Sequence, residues 1–334
     1  MTDFKNQKIA IVIPCFKVID QIEAVIAGLP KWIWRVYVVD DKCPQKTGAF
    51  VERKFNDDRL KVIYNKKNLG VGGAVIAGYR SAIEAGADVI VKIDGDGQMD
   101  ISKIHLFVIP IVRSQCDYTK GNRFFDLSGI NQMPKIRIFG NVGLSFITKF
   151  SSGYWNIFDP TNGYTAIDAR VAAHLPLDKL SERYFFESDL LCQLGLARAV
   201  VRDIPIPARY GDEESSINIF KIFFEFPFKH SKNYIRRILI QYFLRDFSAA
   251  SLELVLGILF LGFGLIFGIS NWNVSSSAEQ VSTPGTVMLA ALPIILGIQL
   301  LLAFLNFDIG AQPSEPLKDK LFYPKELENE ISPD

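Results

Sequence analysis

The chain has 334 residues, 49% hydrophobic and 22% charged, with a formal net charge of +1. This length suits about two compact units, and the apolar content excludes a disordered chain. Balanced charge argues against a nucleic-acid binder working through a basic field, and the mean hydropathy of +0.17 reflects apolar sequence concentrated after residue 246.

In chain order, short β-branched runs at Ile9–Ile13, Val36–Val39, Leu60–Tyr64 and Val89–Ile93 alternate with helix-like stretches at Gln21–Leu29, Thr47–Phe55 and Val71–Ala85. Continuous apolar runs predict strands buried on both faces, and the alternation predicts βαβ units in a mostly parallel sheet. The first run is too short for a signal-peptide core, so the N-terminal region is expected in the cytosol. Cys15, Cys43, Cys116 and Cys192 form no CxxC, and His105, His174 and His230 form no HExxH. Reduced thiols are therefore expected, with no structural zinc.

From 122 to about 215 the pattern is less regular: Met133–Phe150 and Phe185–Leu196 predict helices, and Tyr164–Ile167 predicts a strand. Ile217–Arg245 has helical apolar spacing and a basic face of Lys229, Lys232, Arg236 and Arg237, a pattern expected to lie on a membrane surface, with an ordinary packed helix pair as the alternative. Two apolar stretches follow, Phe247–Ile269 and Thr286–Phe307. Each is about 22 residues, or ~33 Å as helix, enough to cross a ~30 Å hydrocarbon core. The linker Ser270–Gly285 has no Lys or Arg, whereas Arg236, Arg237 and Arg245 precede the first stretch and Lys318, Lys320 and Lys325 follow the second. That asymmetry predicts a cytoplasmic-membrane protein with both termini and the N-terminal domain cytosolic. The expected domains are a cytosolic domain over 1–215, juxtamembrane helices over 216–246, a two-helix anchor over 247–308 and a cytosolic tail over 309–334. Homo-oligomerisation is expected, if anywhere, through the anchor's apolar faces.

Ligands of open parallel sheets bind beyond the carboxyl ends of the strands. Three of the runs end in polar or turn residues there: Pro14-Cys15, Asp40-Asp41 and Asp94-Gly95-Asp96-Gly97-Gln98. Asp94 and Asp96 at i and i+2 point to the same side of an extended backbone. A hard cation such as Mg2+ or Mn2+ takes few carboxylates and completes its shell with phosphate oxygens and water, with Gln98 within reach. A plain turn is the alternative. A calcium loop fails, since Met99 and His105 stand where Gly and Glu are required. Asn68-Leu69-Gly70-Val71-Gly72-Gly73-Ala74 opens a helix and suits either phosphates or close packing. It is neither a dinucleotide fingerprint nor a P-loop.

Ile13-Pro14-Cys15-Phe16, Val38-Val39-Asp40-Asp41, Asn68-x-Gly70-x-x-x-Ala74 and Asp94-x-Asp96-x-Gln98 together resemble the ordered motifs of glycosyltransferase family 2. Gly121-Asn122-Arg123-Phe124, Asp159-Pro160-Thr161-Asn162-Gly163-Tyr164 and Phe186-Glu187-Ser188-Asp189 extend the likeness. With the two apolar stretches, the chain resembles the polyprenyl-phosphate sugar synthases of dolichol-phosphate mannose synthase and undecaprenyl-phosphate glucosyltransferase type. The resemblance implies a GT-A fold, a Rossmann-like sheet with helices on both faces, followed by interface helices and a transmembrane pair. It implies an inverting, metal-dependent transferase that takes a nucleotide-sugar donor and a polyprenyl phosphate acceptor at the membrane.

By position, Asp40 and Asp41 would hold base and ribose, with Pro14 and Gly70 lining the donor site. Asp94, Asp96 and Gln98 would hold the metal, Asp94 also meeting the diphosphate. Arg123 would contact phosphate, and Asp159 and Asn162 would line the acceptor side. Asp159, Asp189 and Glu187 are the candidate catalytic carboxylates. Thr165 stands where many relatives carry Arg or Lys, leaving Lys120, Arg137 or Arg209 as substitutes. The rival readings are a transferase extending a lipid-linked glycan on a sugar hydroxyl and a membrane scaffold with a degenerate transferase fold. The absence of a Gln-x-x-Arg-Trp motif argues against polymerisation, and intact Asp94, Asp96 and Gln98 argue against a scaffold.

Overall fold

A computed structural model describes residues 6–125, 135–207 and 219–321. The chain forms two units, Met1–Tyr234 with Pro313–Asp334, and Ile235–Gln312.

The first unit is built on β1 (Ile9–Cys15), β2 (Arg35–Asp40), β3 (Leu60–Tyr64), β4 (Val89–Lys92), β5 (Tyr118–Asn122), β6 (Thr165–Asp168) and β7 (Val201–Pro205). They form one sheet in the order β3-β2-β1-β4-β6-β5-β7. The pairs among β1 to β4 are parallel, as is β5 with β7, whereas β6 runs antiparallel to both β4 and β5. The sheet is therefore mixed, with the predicted parallel half intact.

Side-chain alternation splits β1 between two cores. Ala10 and Val12 join one core with α3 (Val71–Glu84), α6 (Ala169–His174) and α7 (Phe186–Ala197). Ile9, Ile11 and Ile13 join the other with α1 (Ile19–Ala27), α2 (Thr47–Lys54) and α4 (Ile104–Val112). Gly78 lets α3 close on the sheet, since a Cβ there would stand 2.3 Å from Val12 Cγ1. The chain after α10 also belongs to this unit: Leu317 and Leu321 pack on the first core. The buried Asp117 carboxylate accepts N–H bonds from Val200 (2.7 Å), Leu317 (2.7 Å) and Lys318 (2.9 Å). Lys318, counted in the sequence among the tail's cations, is 3% exposed and lies 3.9 Å from Asp168. Lys325 lies outside the described residues.

α5 (Lys135–Ser152) and α8 (Ile219–Leu239) complete this unit, α8 continuing past Tyr234 into the second. His230 fixes α8: its Nδ1 lies 2.8 Å from Ser151 Oγ, its ring stacks edge-on to Phe185 at 4.8 Å, and its buried Nε2 has no hydrogen-bond partner among the described residues. Burial pulls the imidazole pKa from 6.5 down to about 4, so the fold keeps it neutral. The unfolded chain therefore takes up a proton that the folded chain refuses. Stability is expected to fall as pH drops from 6.5 towards 4, by at most about 3 kcal/mol. His230→Gln is expected to flatten that slope in thermal melts at pH 5 and pH 7.5; an unchanged slope would assign the titration to another group.

The second unit holds the end of α8, a π-helical turn Ile240–Arg245, α9 (Ala249–Ser277) and α10 (Pro284–Gly310). α9 runs well beyond the predicted Ile269, because polar residues such as Asn271, which donates to the Phe267 carbonyl, continue the helix. The linker thus shortens from 270–285 to 278–283. Gly257, Gly264 and Gly297 bring α9 and α10 together: a Cβ on Gly297 would stand 2.6 Å from the Leu261 backbone nitrogen. Arg237, read in the sequence as part of the exposed basic face, is 1% exposed and pairs bidentately with Asp308 at 2.6 and 2.9 Å. A guanidinium that is itself buried against its carboxylate cannot reach lipid headgroups, so the basic face is narrower than the sequence implies.

Candidate active site

The carboxyl ends of β1 to β5 and the start of β6 share one edge of the sheet, because β6 runs backwards. β1 and β4 stay paired only to Val12 and Lys92, and Pro14 stands two residues after Val12. Pro14 lacks an N–H, so the two strands part there without losing a ladder bond. The crevice opens at this point, where the strand order reverses.

Asp40 and Asp41 are buried at the end of β2. Asp40 accepts N–H bonds from Cys43 (2.6 Å) and Gly48 (2.8 Å), which anchors the start of α2. Asp41 accepts from Asn65 Nδ2 (2.8 Å), Leu69 N (2.9 Å) and Gly70 N (2.7 Å), which holds the loop into α3. Gly70 has φ +87°, and a Cβ there would stand 2.9 Å from the Glu182 carbonyl. The glycine-rich stretch thus fits close against residues 181–183, the packing alternative left open by the sequence.

Asp94 and Asp96 follow β4 in a turn closed by Gly97 at φ +75°. Asp96 Oδ1 accepts from Gln98 N at 3.0 Å, and the Asp94 side chain is 30% exposed. Beneath them lies a residue that the sequence reading passed over. Lys92, the last residue of β4, is 2% exposed, and its Nζ sits 2.9 Å from Asp94 Oδ1 and 3.1 Å from Glu187 Oε1. Burial opposes this ammonium, but Asp94 and Glu187 outweigh it and hold its pKa above the ordinary lysine value. A lysine in a strand otherwise buried on both faces demands a counter-charge; that was the available signal. Gly163 touches the same cluster, since a Cβ there would stand 2.3 Å from Lys92 Nζ and 2.7 Å from Asp94 Oδ2.

Among the described residues no three His, Cys, Asp or Glu side chains gather as a metal cage. One or two partly exposed carboxylates suit Mg2+ or Mn2+, which complete their shells with water and substrate phosphate. The residues present therefore fit a cation that shares its shell with a diphosphate.

Across the crevice, Asp159 is fully buried, with φ +52°. Arg123 grips it bidentately, Nε to Oδ2 at 2.7 Å and Nη2 to Oδ1 at 2.8 Å. Asn162 Nδ2 adds a bond to Oδ2 at 3.2 Å. Burial raises the Asp159 pKa, but the Arg123 guanidinium overrides it, and the carboxyl lies below the usual range. Lys120, also buried, donates to the Asp159 carbonyl, and burial lowers its pKa. Asp203 on β7 ties the two segments together, accepting from Asn122 Nδ2 (2.8 Å) and Phe158 N (2.9 Å). Burial pushes its carboxyl up to about 6. The sequence pattern offered no sign of Asp203 beyond a polar residue in a short strand.

Asp189 is buried on α7, accepting from Ser181 N (2.9 Å), Ser181 Oγ (3.1 Å) and Asn233 Nδ2 (3.0 Å). Thr165 is buried at the start of β6. The side chain of Arg137, and Arg209, lie outside the described residues. The structure thus brings Asp94, Gly163, Asn162, Asp159 and Arg123 to one place, with Glu187 joined through Lys92.

A mixed α/β sheet of this order, with carboxylates at the strand ends around its switch point, has the GT-A fold. The family model described as "Glycosyl transferase family 2" matches residues 10–175. The chain is 31% identical over 171 residues to UDP-N-acetylglucosamine--dolichyl-phosphate N-acetylglucosaminyltransferase of Methanococcus voltae, covering 50% of this chain and 68% of the relative. It is 30% identical over 181 residues to undecaprenyl-phosphate mannosyltransferase of Micrococcus luteus, covering 54% and 72%. Among solved structures, glucosyl-3-phosphoglycerate synthase from Mycobacterium tuberculosis, in complex with Mn2+, UDP-glucose and phosphoglyceric acid, shares the fold. The TM-score is 0.53 at 15% identity, over 70% of this chain and 81% of that one. The chain belongs to glycosyl transferase family 2 and is a glycosyltransferase.

Proposed function

We propose that the protein is an inverting, metal-dependent glycosyltransferase that moves a sugar from a nucleotide-sugar donor to a polyprenyl phosphate at the cytosolic membrane face. The observation that carries this reading is the meeting of Asp94 with Gly163, which puts the donor carboxylate beside the loop of Asp159 and Asn162. Two relatives named for polyprenyl phosphates and a fold neighbour holding Mn2+ with UDP-glucose support the substrate classes.

Asp94 and Asp96, with Gln98, would hold the cation, which supplies charge neutralisation to the departing diphosphate. Arg123, oriented by Asp159, presents its guanidinium to phosphate. A lipid phosphate is already anionic near neutral pH, so the site needs positioning more than a strong base. Asp159 suits that role, since a carboxylate with a lowered pKa holds a guanidinium well and takes up a proton poorly. In-line attack then inverts the anomeric carbon.

α9 and α10, at 29 and 27 residues, are long and apolar enough to cross a bilayer. The chain leaves the transferase unit after Tyr234 and rejoins it at Pro313. A pair of spans whose two ends join one unit supports a hairpin with the catalytic unit and tail on the same side. The glycine stripe is used within the hairpin, which leaves the outward faces for any pairing of copies.

The test is a transfer assay with the purified full chain, Mn2+ or Mg2+, undecaprenyl phosphate and a panel of radiolabelled nucleotide sugars. Label entering the organic phase with one donor is the expected result. Metal-dependent nucleotide retention without lipid product would shift the acceptor to a glycan hydroxyl.

A further inference from the structure

We propose that Glu187 and Lys92 form a charge balance that positions Asp94 for the donor's cation, which makes Glu187 a positioning residue and not the catalytic base. The inference rests on the reading that Asp94 meets a nucleoside diphosphate with its cation, and it deepens that reading.

Lys92 leaves β4 between β1 and β6, and all four residues of the strand are buried. An ammonium there cannot stay charged without partners. It has two, and they come from different elements: Asp94 at the strand end and Glu187 on the first turn of α7. The contacts also orient Asp94. Its Oδ1 faces Lys92, while its Oδ2 turns to the Gly163 backbone, where any Cβ would stand 2.7 Å away. Donor carboxylate, acceptor-side loop and α7 therefore meet at one nitrogen.

The charges decide what the cluster does. An Asp94 paired with Lys92 alone would be largely neutralised and a poor cation ligand. Glu187 shares the ammonium and draws its field away, which leaves Asp94 with negative charge to offer. Removing Glu187 entirely would strand Lys92 on Asp94, and removing Lys92 alone would bury two like charges together. Glu187 also has its Oε1 committed to Lys92, so taking a proton from an acceptor would break the pair that holds the donor carboxylate in place.

The experiment is a Mn2+ titration by EPR on the full chain in nanodiscs, with UDP and with GDP, alongside thermal melts and transfer rates. The wild type is expected to retain Mn2+ with at least one nucleotide; retention with neither would overturn the donor-site reading itself. Glu187→Gln is expected to bind that Mn2+·nucleotide pair about 10- to 100-fold more weakly, at an unchanged melting midpoint. The double variant K92M/E187L removes both charges and frees Asp94, and it is expected to regain affinity. Wild-type Mn2+ affinity in Glu187→Gln with slow turnover would identify Glu187 as the base and overturn the proposal. Weak binding in the folded double variant would overturn it as well, because the balance of charge would then not be what matters.

Discussion

Asp96→Ala is expected to lower sugar transfer about 10^2- to 10^3-fold, the size of effect seen when one group stabilising a developing charge is removed. The side chain is half-buried, and Gln98 N donates to it at 3.0 Å within the same turn. Initial rates at saturating donor and acceptor would measure the loss in transfer, and Mn2+ retention would show whether the cation is lost with it. Asp94→Asn should cost as much in transfer while leaving Lys92 to Glu187, since the amide oxygen can still face the ammonium. Wild-type turnover by Asp96→Ala in excess chelator would remove the cation from the proposed mechanism.

Ending the chain after Gln312 is expected to destabilise the transferase unit by on the order of 4 kcal/mol, from two charge-assisted bonds and the packing of two leucines. The Asp117 carboxylate would keep the Val200 N–H but lose Leu317 and Lys318. Leu317 and Leu321 would leave the core against which they pack. For a unit of this size the melting midpoint should fall by about 10 °C. Thermal melts of the truncated and full chains in the same detergent would show it. Equal midpoints would mean that the tail rests on the unit without holding it.

The parallel half of the sheet was legible because β1, β2 and β4 are rich in continuous β-branched residues and buried on both faces, although the edge strand β3 is only partly buried. β5 was not, since its Tyr-Thr-Lys-Gly-Asn reads as a loop. It is buried because its polar atoms are matched: Thr119 donates to the Phe107 carbonyl, Lys120 to that of Asp159, and Asn122 to Asp203. The reversed direction of β6 leaves no mark in a four-residue strand. At the site, the carboxylates at strand ends were legible as motifs. Their partners were not, because a lysine is ordinarily solvent-exposed and composition cannot show that Lys92 has Glu187 beside it. Arg237 misled for the same reason, its partner Asp308 lying 71 residues away in sequence.

The clasp at Asp117 also sets an order of events during synthesis. Its last donors, at 317 and 318, emerge 200 residues or more after the carboxylate itself, about 10–40 s later at ordinary elongation rates. By then both apolar helices have left the ribosome. The carboxylate is made before the two apolar helices and its last two donors after them, so the clasp closes only once both helices have been synthesised.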